Sequence, residues 1–329
     1  MPKLAFRNRC SCVTSSIRIF VTSLFRIGQV LKGSLGKYTI TKEIQSTVWF
    51  AKNQLQENVV IKSVRDHPRV ENERDVLKRF QHSTPHLHPL IDEIEESSQS
   101  TTMVLKHLDT DLWQTARTNP APMNRKELKY VSRAILEALS VLHGDGFVHT
   151  DVKPGNVFVN LRNGEVRFSG VQLGDLGGCS PIDSWYAATG AFAGTAVYSS
   201  PEQALGLPWN TASDIWSFGA TFITLLFGGN FTLFEPKGFP RDHEDYNLNV
   251  VREKLRSFAP FTAKFGAQLD LENLAFLVAL KNSIDAHEYK PFRRAVDPEV
   301  WEGDREFVCK MMKLDWRDRL IAKEILEDG

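Results

Sequence analysis

The sequence predicts an α+β protein of two unlike lobes, a small β-rich one with one main helix and a larger, mostly helical one. Three observations predict it. Residues 37–64 are β-branched or aromatic runs broken by polar turns. A helical stripe with its own capping signal begins only after the Asn-Pro-Ala-Pro stretch at 119–122. From residue 214 onward the pattern is helical with loops. At 329 residues the chain is long enough for one large two-lobed domain or two ordinary ones. The boundaries expected are a basic segment over 1–35, a small lobe with its connecting segment over 36–108, and a large lobe over 109–329.

In the small lobe, residues 38–40, 47–51 and 59–64 read as strands, and residues 69–81 as a helix bearing Glu71 and Glu73. Residues 88–93 and 102–105 are further strand candidates. The large lobe opens with Asn124 and Glu127 at capping-box spacing. Leu128, Val131, Ile135, Ala138, Leu139 and Leu142 follow at helical intervals, and Gly144 stops the helix. Residues 214–227 form an apolar helix ended by Gly228-Gly229, which demands burial on all sides.

Between these helices lies His149-Thr150-Asp151-Val152-Lys153-Pro154-Gly155-Asn156, with Asp175-Leu176-Gly177 further on, across a strand-like 166–173. Transfer of a phosphoryl group from ATP needs a carboxylate to orient the attacking hydroxyl, a cation beside the moving phosphate, and oxygen ligands for Mg²⁺. This loop and the turn after it contain all three. A loop whose Asp and Asn merely cap turns is the bland alternative.

The octapeptide resembles the protein kinase catalytic loop, and other motifs fall in that family's order over about residues 36–328. The resemblance implies a bilobal kinase fold. It implies Asp151 as the group that orients the substrate hydroxyl and Lys153 as the cation at the γ-phosphate, with Asn156 and Asp175 as Mg²⁺ ligands. Lys62 in Val-Val-Ile-Lys resembles the strand lysine on the ATP phosphates, with Glu73 as its partner and Glu71 as the runner-up. Residues 103–112 resemble the hinge. There Leu105 is the gatekeeper, the backbone of Lys106 and Leu108 faces adenine, and Asp111 reaches the ribose. Val48, Val60 and Phe158 complete the nucleotide pocket. Residues 194–202 resemble the platform for a protein substrate. Glu202 would pair with a buried Arg319, and Asp214 would hold the catalytic-loop backbone. Lys153 with Gly194-Thr195 favours the serine/threonine class. Residues 205–216, 233–237 and 241–245 are similar to the SR-protein kinases and their divergent fungal relatives in the CMGC group.

Three departures from the pattern stand out. Gln45-Ser46-Thr47 leaves no glycine where the family has a Gly-rich phosphate loop. Thr150 replaces the arginine that normally meets an activation-loop phosphate. Val60 replaces the usual alanine over adenine. The function implied is Mg²⁺-dependent transfer of the ATP γ-phosphoryl group to serine or threonine of a protein substrate. The alternative is a pseudokinase, a binding scaffold without efficient turnover.

Formal net charge is zero, but it is unevenly spread. Residues 1–42 hold eight Lys and Arg and no acid, which leaves 32 basic and 40 acidic residues beyond them. No bulk basic surface for nucleic acid is implied. Cys10, Cys12, Cys179 and Cys309 form neither a disulfide framework nor a zinc spacing, and no apolar run reaches membrane-spanning length. The first 33 residues, rich in Arg and Ser, have the composition of a mitochondrial transit peptide or of a basic disordered arm. A helix over 17–30 would align Ile17, Phe20, Val21, Leu24, Ile27 and Val30 on one face.

Overall fold

The computed structural model describes residues 24–64, 67–95, 101–296 and 300–328. The small lobe is built on six antiparallel strands: β1 (Val30–Lys32), β2 (Lys37–Gln45), β3 (Val48–Lys52), β4 (Asn58–Ser63), β5 (Leu90–Glu93) and β6 (Thr102–Lys106). Their order in the sheet is β1-β2-β3-β4-β6-β5. The two-residue period of the strands divides their side chains between two faces. Trp49, Ala51, Val59 and Ile61 enter a core with Tyr38, Ile40 and Val104, while Val48, Val60 and Lys62 face the interlobe cleft.

Gly33 bridges Ile94, and Glu95 N–H donates to Lys32 O at 3.0 Å, so the two edges of the sheet are drawn together. Only glycine fits at 33. A Cβ there would sit 2.3 Å from Asp92 Oδ2, the oxygen that accepts from the Tyr38 hydroxyl at 2.8 Å and Leu35 N–H at 2.9 Å.

The small lobe therefore begins before the expected boundary at 36. Residues 1–23, which carry most of the expected leader and half of its helical stripe, lie outside the described residues. From 24 onward the segment is not helical. Leu24 and Phe25 pack on the small-lobe core, with the Phe25 ring edge-on to Trp49 at 5.0 Å. Gly28 takes a positive φ of 83°, and Val30 opens β1. Of the expected stripe, Leu24 covers the sheet, whereas Ile27 and Val30 are exposed.

Helix α1 (Pro68–Phe80) joins β4 to β5. The His67 side chain caps it, Pro68 stands in its first turn, and it buries Val70, Glu73, Val76, Leu77 and Phe80. After β6 the chain passes through a short strand, β7 (Thr110–Asp111), into α2 (Leu112–Thr118) and the large lobe.

There α3 (Arg125–Gly144) starts on a complete Asn124/Glu127 capping box. Glu127 is buried and also takes a two-pronged contact from Arg167 at 2.7 and 2.8 Å. Short strands β8 (Phe147–Val148), β9 (Val157–Leu161), β10 (Phe168–Leu173) and β11 (Ser180–Pro181) surround the loop at 149–156. Beyond them lie α4 (Trp185–Thr189), α5 (Pro201–Ala204) and α6 (Ala212–Phe227). The core helix α6 buries thirteen consecutive residues, Ser213 through Leu225. Then come α7 (Tyr246–Phe258), α8 (Ala263–Gly266), α9 (Leu271–Asn282), α10 (Glu302–Met311) and α11 (Ala322–Asp328). Among the described residues no helix is long and apolar enough to cross a membrane.

Candidate functional site

A cleft of about 1200 Å³ separates the lobes. Val48, Val60, Lys62, Glu73, Lys106, Leu108, Asp111, Asp151, Asn156, Phe158 and Asp175 all line it. Lys153 does not line it, but it reaches the site through Asp151.

At its centre the Lys62 ammonium bridges two carboxylates, Glu73 Oε2 at 2.6 Å and Asp175 Oδ1 at 2.8 Å. Strand β4, helix α1 and the turn after β10 each contribute one of the three groups. Burial works against the Lys62 charge, yet Glu73 and Asp175 outweigh it and hold the ammonium above its ordinary range. Burial also works against the Asp175 charge, but Lys62 prevails and keeps that carboxyl below its ordinary value. Glu71 is exposed. The Asn72 amide, one position before Glu73, donates to the carbonyls of Gly177 at 3.2 Å and Cys179 at 2.8 Å. Helix α1 is thereby pinned to the turn that carries Asp175, whose backbone is left-handed at φ 58°.

The loop at 149–156 forms a second network. Asp151 Oδ2 accepts from Lys153 Nζ at 2.6 Å, and Oδ1 accepts from the Thr195 hydroxyl at 2.8 Å. Lys153 Nζ also donates to Thr195 Oγ1 at 3.0 Å. Asn156 spends its amide N–H groups on Asp151, at 2.9 Å to the carbonyl and 3.2 Å to Oδ2, which leaves its amide oxygen free of these two bonds.

The loop's backbone is held from beneath. Fully buried Asp214, in the first turn of α6, accepts from His149 N–H at 2.7 Å and Thr150 N–H at 2.9 Å. Thr150 has φ 73°, a conformation that costs a β-branched residue of the order of 1–3 kcal/mol. Its hydroxyl donates to Gly178 O at 3.1 Å. Gly194 packs on the other side, where a Cβ would meet Thr150 O at 2.3 Å.

The expected hinge differs in detail. Lys106 N–H donates to Pro89 O at 3.0 Å, and Lys106 O lies 2.6 Å from His88 Nε2. The N–H of Lys106 is thus taken, while its carbonyl keeps one lone pair. The His88 ring also packs against Phe158 at 4.8 Å. Burial pushes His88 down to about 4, which leaves the imidazole neutral and Nε2 the donor. Nothing in the residue pattern marked this histidine as part of the cleft. Asp111 caps α2 by accepting from Gln114 N–H at 2.8 Å, and burial raises its pKa.

Thr195 takes a larger part than its sequence context suggested, because its hydroxyl touches both Asp151 and Lys153. The Glu202–Arg319 pair is fully buried, with bonds of 2.6 and 2.8 Å.

The protein kinase domain family matches residues 26–329. The chain belongs to the protein kinase family. Relatives include a serine/threonine-protein kinase US3 homolog of Cercopithecine herpesvirus 9, 27% identical over 84% of this chain and 76% of that protein. The US3 kinase of Human herpesvirus 1 is 31% identical over 78% of this chain and 51% of its own length. The MAP kinase kinase MKK1/SSP32 of Saccharomyces cerevisiae is 35% identical over 54% of this chain and 31% of that protein. The kinase thus spans about half of the second relative and a third of the last. Among solved structures, a chain of the yeast RNA polymerase II CTD kinase complex CTDK-1 superposes with a TM-score of 0.70 at 17% identity, covering 88% of this kinase and 91% of that chain. That likeness is one of fold.

Proposed function

We propose that this kinase transfers the γ-phosphoryl group of ATP to serine or threonine hydroxyls of a protein substrate. The observation that carries this reading is Asp151 held by both Lys153 and Thr195 at 2.6–2.8 Å. The carboxylate is positioned to orient an incoming hydroxyl, and a cation stands beside the transferring group. The donor set suits Mg²⁺. Asp175 and Asn156 offer hard oxygens, and among the described residues no cluster of three His, Cys, Asp or Glu could hold a metal unaided. That matches an ion held by one or two protein oxygens and the phosphates of its nucleotide. When bound, Mg²⁺ would neutralise charge on those phosphates. Lys62 would bind the α and β phosphates, Val48, Val60 and Phe158 would enclose the adenine, and Leu108 would meet its edge.

One observation favours the second reading, a pseudokinase scaffold. The β2–β3 hairpin turns through Ser46-Thr47, without glycine. We take this to be a shortened phosphate loop with fewer backbone N–H groups to offer. The likeness of residues 205–216, 233–237 and 241–245 to SR-protein kinases supports a place near that subgroup. The composition of residues 1–33 supports mitochondrial import, which a reporter fused to them tests; diffuse fluorescence would refute it.

Thermal shift with ATP, with and without Mg²⁺, separates the two functional readings. The catalytic reading expects Mg²⁺-dependent stabilisation that Asp175→Asn abolishes. Stabilisation by ATP that ignores the metal would favour the scaffold.

A further inference from the structure

Lys254 lies on α7 within a stripe of buried apolar residues, Val250, Val251 and Leu255, and is itself only 1% exposed. Among the described residues no carboxylate pairs with its ammonium. Glu202 is the acid whose charge reaches it, but both oxygens of Glu202 are engaged by Arg319 at 2.6 and 2.8 Å. A lone buried ammonium is costly, and a leucine would complete the stripe without that cost. Burial accordingly pushes Lys254 down to about 7, with Glu202 opposing.

The ammonium instead serves the segment that follows Thr195. Lys254 Nζ donates to Ala196 O at 3.0 Å and to Ser199 Oγ at 3.2 Å, and Ser199 Oγ donates in turn to Ala196 O at 2.9 Å. It also lies 5.7 Å from the Phe234 ring. Ala196 adjoins Thr195, whose hydroxyl holds Asp151 and Lys153. A continuous path therefore runs from α7 through residues 195–199 to the catalytic carboxylate.

We infer that Lys254 is a positioning residue for the protein substrate, fixing the Ala196–Ser199 turn as the seat beside Asp151. The inference rests on the phosphotransfer reading above. Lys254→Met preserves length and apolar bulk while removing the donors. It should raise KM for a positional-scanning serine/threonine peptide library about tenfold, on the scale of one charge-assisted bond. KM for ATP and kcat should stay within about twofold. Ser199→Ala, which keeps the lysine, should move peptide KM the same way by a smaller factor, and it serves if Lys254→Met does not fold. Hydrogen exchange supplies a readout independent of turnover. Amides of residues 195–205 should exchange faster in the variant, with those around Lys62 and Asp175 unchanged. Unaltered peptide KM in both variants would overturn the inference. So would a joint loss of ATP affinity, kcat and thermal stability, which marks general structural support. If the wild-type kinase phosphorylates no peptide, the phosphotransfer reading falls. The fixing of the Ala196–Ser199 turn by Lys254 is then decided by exchange alone: faster exchange confined to residues 195–205 upholds it, and unchanged exchange removes it.

Discussion

Thr150 shows how one side chain can replace a larger device. The arginine usual before the catalytic aspartate would reach outward to a phosphate, whereas the threonine hydroxyl turns inward to Gly178 O. It links the loop at 149–156 to the turn bearing Asp175 at 3.1 Å. Thr150→Val keeps the β-branch and the strain at φ 73° but deletes the bond. It should cost about 1 kcal/mol in unfolding free energy and lower kcat several-fold. Thr150→Ser, which keeps the hydroxyl, should retain both. Denaturant unfolding and steady-state kinetics on the pair check this; equal behaviour of Val and Ser variants would dismiss the hydroxyl. His88 predicts a pH effect. Its folded pKa lies below the ordinary histidine value of 6.5, so the unfolded chain binds the proton more readily. Its contribution is whole above about pH 6.5 and is lost as pH falls toward 4. The thermal midpoint of His88→Gln, which keeps a donor for Lys106 O without titrating there, should fall less steeply over that window than the wild type's.

At the scale of elements, the β2–β3 hairpin, which turns through Ser46-Thr47 without glycine, carries the proposal of a shortened phosphate loop. Inserting a Gly-rich segment between Gln45 and Ser46 adds backbone donors to the cleft mouth. Each charge-assisted bond is worth about 1.5–3 kcal/mol, so ATP affinity should rise about tenfold or more, with a new preference over ADP. Calorimetric titration with both nucleotides decides it, and tight, ATP-selective binding by the unaltered protein would show that another element covers the phosphates. The elements themselves were largely legible. The Asn124/Glu127 box and the Gly144 stop place α3, and the uninterrupted apolar run of 214–227 places the buried α6. Strand β1 was not legible, because three residues are too few for a period to show and Val30 also fits a helical stripe. Lys254 was hidden for the opposite reason: in a sequence, a lysine on a helix reads as a solvated charge. Only the packing of α7 beneath residues 195–199 reveals its burial. The partnership of His88 with Lys106 spans 18 residues and has no local signature.

Across the whole molecule, ion pairs tie distant segments together: Lys62–Asp175 joins the two lobes, and Glu202–Arg319 braces the large lobe from within. Lys62 and Asp175 lie 113 residues apart, and Glu202 and Arg319 lie 117 apart. Arg319→Met would leave Glu202 buried without a counter-charge and should cost about 3–5 kcal/mol in unfolding free energy. Adding Glu202→Gln should recover part of the loss, and no recovery would place the defect elsewhere. The most direct test of the whole account follows γ-labelled phosphate from ATP into serine/threonine peptides, comparing the wild-type kinase with Asp151→Ala. Asp151 is expected to supply at least about 100-fold of the rate as the group that orients the hydroxyl. The wild type should label serine and threonine, and the variant should be at least that much slower while ATP with Mg²⁺ stabilises both proteins alike. Equal labelling by the two proteins, or none by the wild type, would contradict the account.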